Sequence, residues 1–177
     1  MRLKLTVIGD GTVGKTCLLI TYTRRAFPTE YVPTVFETLP LTISVDGESY
    51  EVNLWDTAGQ EEYEKLRLLC YPHTNCFIMC YSVPNRSSFD NILTKWHPEV
   101  KKMCPGVPVL LVATKTDIRT ADRDSVSAAE GEKMRKRIKA AKFIECSALS
   151  GVGLEDVFQE AVKLALGRKQ SHDCVFI

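Results

Sequence analysis

The chain of 177 residues has no apolar run that reaches bilayer length; the longest, such as Val109–Ala113, fall far short of a spanning helix. Its first residues, MRLKLTVIG, lack the apolar core of a signal peptide, and Arg2 stands where myristoylation needs glycine. Charge of one sign is missing too: 23 Lys and Arg against 22 Asp and Glu leave a net charge of +1, so no nucleic-acid partner is expected. Histidine is scarce, and His73 and His97 sit alone, without metal-ligand or triad spacing. The seven cysteines form no CxxC pair, which argues against zinc or a disulfide framework and fits reduced core thiols in the cytosol. There is no internal repeat, low-complexity stretch or interior linker, so the length predicts one domain.

What is present is an alternation of apolar β-like and helical segments, the pattern of an α/β domain with a mostly parallel sheet. Six strands are predicted at roughly 3–9, 39–45, 50–56, 76–82, 108–114 and 142–146, and five helices at roughly 15–25, 61–70, 86–103, 127–140 and 153–167. The exception to βαβ order is LPLTISVDGESYEVNLWD, where alternating apolar residues flank Asp46-Gly47 and read as a hairpin. Leu154, Val157, Phe158, Ala161, Val162, Ala165 and Leu166 make one apolar stripe on the last helix. The pattern stops at Gly167, so residues 1–167 read as the domain and 168–177 as a mobile tail.

Gly9 to Thr16 fit G-x-x-x-x-G-K-[ST], placed between a predicted strand and a predicted helix as that motif requires. Glycines such as Gly11 and Gly14 let the amides of Thr12, Val13, Gly14, Lys15, Thr16 and Cys17 turn inward around phosphate. Lys15 supplies a charge for the β and γ phosphates, and the Thr16 hydroxyl suits Mg²⁺. At the end of another strand, NLWDTAGQE provides Asp56 to hold Mg²⁺ through water, then Ala58, Gly59 and Gln60. Gln60 carries both a donor and an acceptor, and so orients an attacking water without ionising. Cys17, beside the loop, reads as a core thiol, and the basic run over Lys133–Lys139 as a solvated helix face.

Two later stretches read the base. In VLLVATKTD the Asp117 carboxylate can accept two parallel N–H groups of guanine, a pair that adenine does not offer, while the Lys115 stem covers the ring. In ECSALSG, Ser147, Ala148 and Leu149 end the final strand, where the Ala148 N–H meets the guanine O6.

With these four elements in order, the chain resembles a Ras-superfamily small GTPase from about Leu3 to Leu166, and more narrowly a Rho-family one. The stretches GDGTVGKTCLLI, FPTEYVPTVFET, WDTAGQEEYEKLR, SFDNILTKWHPEVKKMCP and the terminal CVFI carry that likeness. The resemblance implies a P-loop fold, GTP and GDP as ligands, Mg²⁺ as cofactor, and catalysis by Gln60, Lys15 and Thr34. It makes FPTEYVPTVF the first switch, with Phe27 against the guanine edge, Tyr31 over the phosphates and Thr34 on Mg²⁺ and γ-phosphate. It makes 57–69 the second switch, and loss of the γ-phosphate then relaxes both. Implied partners are a guanine-nucleotide exchange factor, a GTPase-activating protein, a GDP-dissociation-inhibitor-like carrier, and effectors such as formins or kinases. Terminal Cys174-Val175-Phe176-Ile177 fits C-a-a-X, so Cys174 is expected to carry a prenyl group, geranylgeranyl by the likeness of Ile to Leu. That places the protein on the cytoplasmic face of a membrane, the plasma membrane, and in the cytosol, with a role in actin regulation implied by family alone.

The chain also departs from that family. Thr114 stands where the wider superfamily has Asn, and Thr38 where most Rho and Rac proteins have the Asn that ADP-ribosylating toxins modify. IRTADRDSVSAAEG is about ten residues too short for the charged insert helix of Rho relatives. Glu37 and EGEKM resemble Rho, TKTD resembles Rac. Arg24 and Arg25 sit late in the first helix, where neither acts as an arginine finger. A P-loop kinase would need an acceptor pocket or lid in place of the guanine motif, and a module that only holds GTP would have no need of Gln60 and Thr34.

Overall fold

A computed structural model describes residues 2–30 and 36–173. Six strands form one sheet in the order β2-β3-β1-β4-β5-β6, with β1 Arg2–Ile8, β2 Phe36–Val45, β3 Glu48–Thr57, β4 Cys76–Ser82, β5 Val109–Thr114 and β6 Lys142–Glu145. Only β2 against β3 is antiparallel. The turn between them takes Asp46 at φ 51° and Gly47 at φ 86°, the two left-handed residues that a two-residue hairpin demands. All seven residues of β4 and all six of β5 are buried, because helices cover both faces of a parallel sheet.

On one face lie α1 Lys15–Arg24 and α6 Leu154–Asp173; the stripe from Leu154 to Ala165 is buried, and Phe158 stacks on Tyr22 with ring centres 3.9 Å apart. On the other lie α3 Arg86–Asn91, α4 His97–Met103 and α5 Ala128–Ile138, around a core of Tyr81, Phe89, Trp96 and Leu111. The mostly parallel α/β sheet expected from the alternation is present, in the small G-protein arrangement that the family resemblance implied. β1 emerges between β3 and β4, where neighbouring connections leave in opposite directions, and its carboxyl end is therefore where an α/β sheet opens a crevice for ligand.

Four local details differ from the expected boundaries. The helix at 61–70 begins as a 3₁₀ turn, Glu61–Tyr63, before α2 Glu64–Leu69. The helix at 86–103 contains a π turn over Ile92–Trp96. An unexpected 3₁₀ turn, Thr116–Ile118, follows β5. Helix α6 runs to Asp173, past Gly167, since one glycine costs a helix only about 1 kcal/mol and Arg168, Lys169 and Gln170 favour it. No helix lies between Ile118 and Ala128, in agreement with the shortness of that stretch. Among the described residues no helix is long and apolar enough to cross a membrane. The six described cysteines are free, and burial pushes the thiols of Cys76 and Cys80 up to about 12.

Candidate functional site

The loop from β1 to α1 closes tightly because Gly9, at φ 142°, leaves no room for a β-carbon against the Cys80 carbonyl, and Gly14, at φ 98°, turns the chain into the helix. No side chain caps the start of α1, so its first amides face the crevice. Lys15 folds back over the loop and donates from Nζ to the carbonyls of Gly9 (2.8 Å) and Asp10 (2.7 Å). Its ammonium is buried, and desolvation lowers its pKa although the nearby Asp56 carboxylate opposes the change. An anion in the crevice would offset that desolvation. Val13 contributes only backbone to the site, because its side chain is fully buried in the core.

Asp56 ends β3 one strand away, and the Thr16 hydroxyl donates to its Oδ2 at 2.6 Å. A hydroxyl and a carboxylate are hard oxygen donors that fit a cation taking its other ligands from water and phosphate, as Mg²⁺ does. Thr57 fastens that strand end by donating to the Val7 carbonyl at 2.7 Å. Past it, a β-carbon on Gly59 would run into the backbone of Gly9, Asp10 and Gly11, so the DTAGQ turn lies directly on the phosphate loop. Gln60 packs over Gly11, where a β-carbon would sit 3.7 Å from Gln60 Cδ.

The base end is built by β5 and β6. Lys115, left-handed at φ 59°, reaches back to donate to the Thr12 carbonyl at 2.8 Å, so its stem walls the cleft. Ser147 donates to Asp117 Oδ1 at 2.6 Å and accepts from the Ser150 amide at 3.1 Å. The loops after β5 and β6 are further joined by the Thr116 amide donating to the Cys146 carbonyl (3.3 Å) and by an Arg119–Glu145 ion pair. Thr114 places its hydroxyl 2.5 Å from the Val13 carbonyl and 3.0 Å from that of Tyr81, and so ties β5 to the phosphate loop. Phe27 and Leu149, the apolar groups expected against the base, are exposed.

One cleft of about 310 Å³ thus gathers Gly11, Thr12, Gly14–Cys17, Ala58–Gln60 and Lys115. Val13, Asp56, Asp117, Ser147, Ala148, Leu149 and Phe27 do not line it, Asp56 being buried behind Thr16, and Tyr31, Thr34 and Cys174 lie outside the described residues. Cys17 does line it, half-buried and outside both core clusters, so it is a cleft residue and not the core thiol expected; partial burial raises its pKa. Ile20, Pro28, Glu30 and Thr57 also line it and were not singled out as ligand residues; Pro28 and Glu30 fall in the first-switch stretch, Thr57 in the second, and Ile20 lies four residues beyond Thr16 on the same helix face. Arg25 pairs with Glu155 at 3.1 Å, and no arginine lines the cleft among the described residues.

Compared with known proteins, residues 4–166 match the sequence profile of the Ras family. The chain is similar to a Drosophila melanogaster protein named Ras-like GTP-binding protein RhoL, 54% identical over 168 residues, which cover 94% of this chain and 88% of that one.

Proposed function

This chain belongs to the Ras family of small GTPases, and from that premise we propose that it is a Rho-type molecular switch. Members of the family bind GTP and GDP with Mg²⁺, hydrolyse GTP, and meet exchange factors, activating proteins and effectors. The convergence of Lys15, Thr16, Gly59 and Gln60 on one cleft, with Asp56 hydrogen-bonded to Thr16 and Asp117 to Ser147, carries the switch reading. Support for the Rho subgroup comes from the likeness to RhoL and from stretches such as FPTEYVPTVFET and SFDNILTKWHPEVKKMCP.

Phosphoryl transfer asks a protein mainly for position and electrostatics. Lys15 and the loop amides neutralise charge on the phosphates, and Thr16 and Asp56 hold the cation, which when bound neutralises charge on the β and γ phosphates. Gln60, laid over Gly11, orients the attacking water. Thr34 and the Gly59 amide sense the γ-phosphate, so both switches relax after hydrolysis. Since no arginine of the chain reaches the cleft among the described residues, intrinsic hydrolysis is slow, about 10⁻⁴ to 10⁻³ s⁻¹ as for Ras itself, and rises about 10⁵-fold when an activating protein inserts one.

The further partners are an inhibitor-type carrier and effectors of formin or kinase type. A prenyl group on Cys174 holds the protein reversibly at the cytoplasmic face of the plasma membrane, because one lipid chain alone anchors weakly. Control of actin follows from the Rho assignment. The test is binding of GTPγS-loaded and GDP-loaded protein to a formin's GTPase-binding region and to the short binding motif of a Rac-type kinase. GTP-dependent binding to the formin supports Rho, preference for the kinase motif makes the chain Rac-like, and equal binding in both nucleotide states removes the switch.

A further inference from the structure

Arg67 lies in the polar stretch EEYEKLR of α2, yet its side chain is fully buried. A guanidinium in that position must spend its donors well, and this one does. Nε and Nη2 form a fork on Glu99, at 3.1 Å to Oε1 and 3.0 Å to Oε2, while Nη1 donates to the carbonyls of Ala58 (3.1 Å) and Gln60 (3.4 Å). Tyr71 donates to the same Glu99 carboxylate at 2.5 Å, and the guanidinium lies 4.7 Å above the Trp96 ring. The backbone on either side of Gly59 is therefore fastened to α4.

The phosphate loop is fastened to the same segment. Trp96 Nε1 donates to Asp10 Oδ1 and Asn91 Nδ2 to Asp10 Oδ2, each at 2.7 Å, while the Asp10 carbonyl accepts from Lys15. Asn91 and Trp96 are five residues apart, and an α-helix would turn such a pair about 140° away from each other. The π turn over Ile92–Trp96, which closes its hydrogen bonds at i→i+5, brings them over one another and onto one carboxylate. A helical irregularity with no other evident purpose thus has a physical one.

We propose that Arg67 is a positioning residue for GTP hydrolysis. Anchored by Glu99 and Trp96, it sets the backbone that carries Gln60, while the π turn, through Asp10, sets the loop over which Gln60 packs. Helices α3 and α4 then act as one template holding the water-orienting and phosphate-binding parts in register. This rests on the reading that Gln60 orients the water, and it adds residues, Arg67, Glu99, Trp96 and Asn91, that do not touch substrate.

The test is single-turnover hydrolysis by the full chain loaded with labelled GTP, expressed per loaded molecule, for Glu99→Gln and Trp96→Phe. Phenylalanine keeps a ring under Arg67 and loses the donor to Asp10 along with some buried volume; glutamine keeps the shape of the carboxylate and loses its charge. Misplacement of a reacting group by a fraction of an ångström to 1 Å predicts a loss of about ten- to a hundredfold in hydrolysis. Affinity of the Glu99→Gln protein for fluorescent GDP should stay within about twofold, since Glu99 anchors the Gln60 backbone and not the phosphate loop. In a Gln60→Ala background the same changes should cost nothing more, because the residue they position is gone. Unchanged hydrolysis in both single variants, with Gln60→Ala slow, overturns the inference alone, and so does a full additional loss in the Gln60→Ala background. A Gln60→Ala protein that hydrolyses at the parental rate overturns the water-orienting reading and this inference with it.

Discussion

Gly11 and Gly59 face each other across the two loops, yet for different reasons. A β-carbon at Gly11 would make ordinary contact with the Gln60 side chain at 3.7 Å, whereas at Gly59 it would collide with backbone on three sides. A flexible side chain can move aside and a loop backbone cannot. The γ-methyls of Gly11→Val should therefore displace Gln60, lowering single-turnover hydrolysis by about a hundredfold while leaving nucleotide binding close to normal. Gly59→Ala should instead force the DTAGQ turn off the phosphate loop and abolish the difference between GTP- and GDP-loaded protein in effector binding. Parental hydrolysis by the Gly11 variant, or parental nucleotide discrimination by the Gly59 variant, would show that these loops are less closely apposed. Both glycines belong to motifs, so their importance was legible in the sequence. Arg67 was not, because an arginine in a charged helix reads as solvated until another element covers it.

Elements in this fold are held at their ends as well as along their faces. Helix α5 starts with a capping box, in which Ser127 accepts from the Glu130 amide at 3.3 Å and Glu130 accepts from the Ser127 amide at 2.9 Å. Arg86 of α3 clasps the same carboxylate at 2.6 Å and donates to the Ser125 carbonyl at 3.2 Å, binding the short stretch before α5 to its neighbour. Arg86 first, then the Ser127 amide, hold the Glu130 carboxyl down to about 2 from an ordinary 4.5. A carboxyl with a depressed folded pKa stabilises above its unfolded value and loses that contribution as pH falls through the folded one. Glu130→Gln should thus cost about 1 kcal/mol at neutral pH, a figure reduced for the 38% exposure of the side chain, and the gap to the parent should close between pH 4.5 and about 2. Urea melts of both proteins at pH 7 and at steps below 4.5 check this; a gap independent of pH would assign the effect to shape. The helix itself and its cap were legible in SAAE, since Ser followed three residues later by Glu is a start signal, but Arg86 lies 44 residues away from Glu130 and no local pattern pairs them.

At the scale of the molecule, the cleft joins parts of the chain from Gly11 to Lys115, so a ligand there would fasten the loops after β1, β3 and β5 together. Any nucleotide that binds the folded protein and not the unfolded chain stabilises it by mass action, by about 4 kcal/mol at a thousandfold excess over Kd. For a chain of this size that corresponds to roughly 8–16 °C in Tm. Stripping nucleotide with EDTA should lower Tm by that amount, and GDP with Mg²⁺, but not ADP with Mg²⁺, should restore it. Equal rescue by ADP would mean that Asp117 does not select the base. The buried ammonium of Lys15 is the counterpart: Lys15→Met should leave the nucleotide-free melt unharmed and remove most of the gain from GDP.

The fold class and the placement of the Gly9–Thr16 loop, Asp56, the DTAGQ turn, Asp117 and the Ser147 stretch at or just past strand ends were legible in the sequence alone, because each is a local pattern: hydrophobic period, glycine spacing, or a polar residue at the end of an apolar strand. The hairpin at Asp46-Gly47 was equally local. Only the tertiary structure decided that Arg67 is buried, that Asn91 and Trp96 share one carboxylate through a π turn, and that Thr114 ties β5 to Val13. Burial and hydrogen-bond partners depend on which elements meet, and those meetings join residues tens of positions apart. A local pattern can name the groups that touch a ligand, but the contacts that aim those groups are made across the chain.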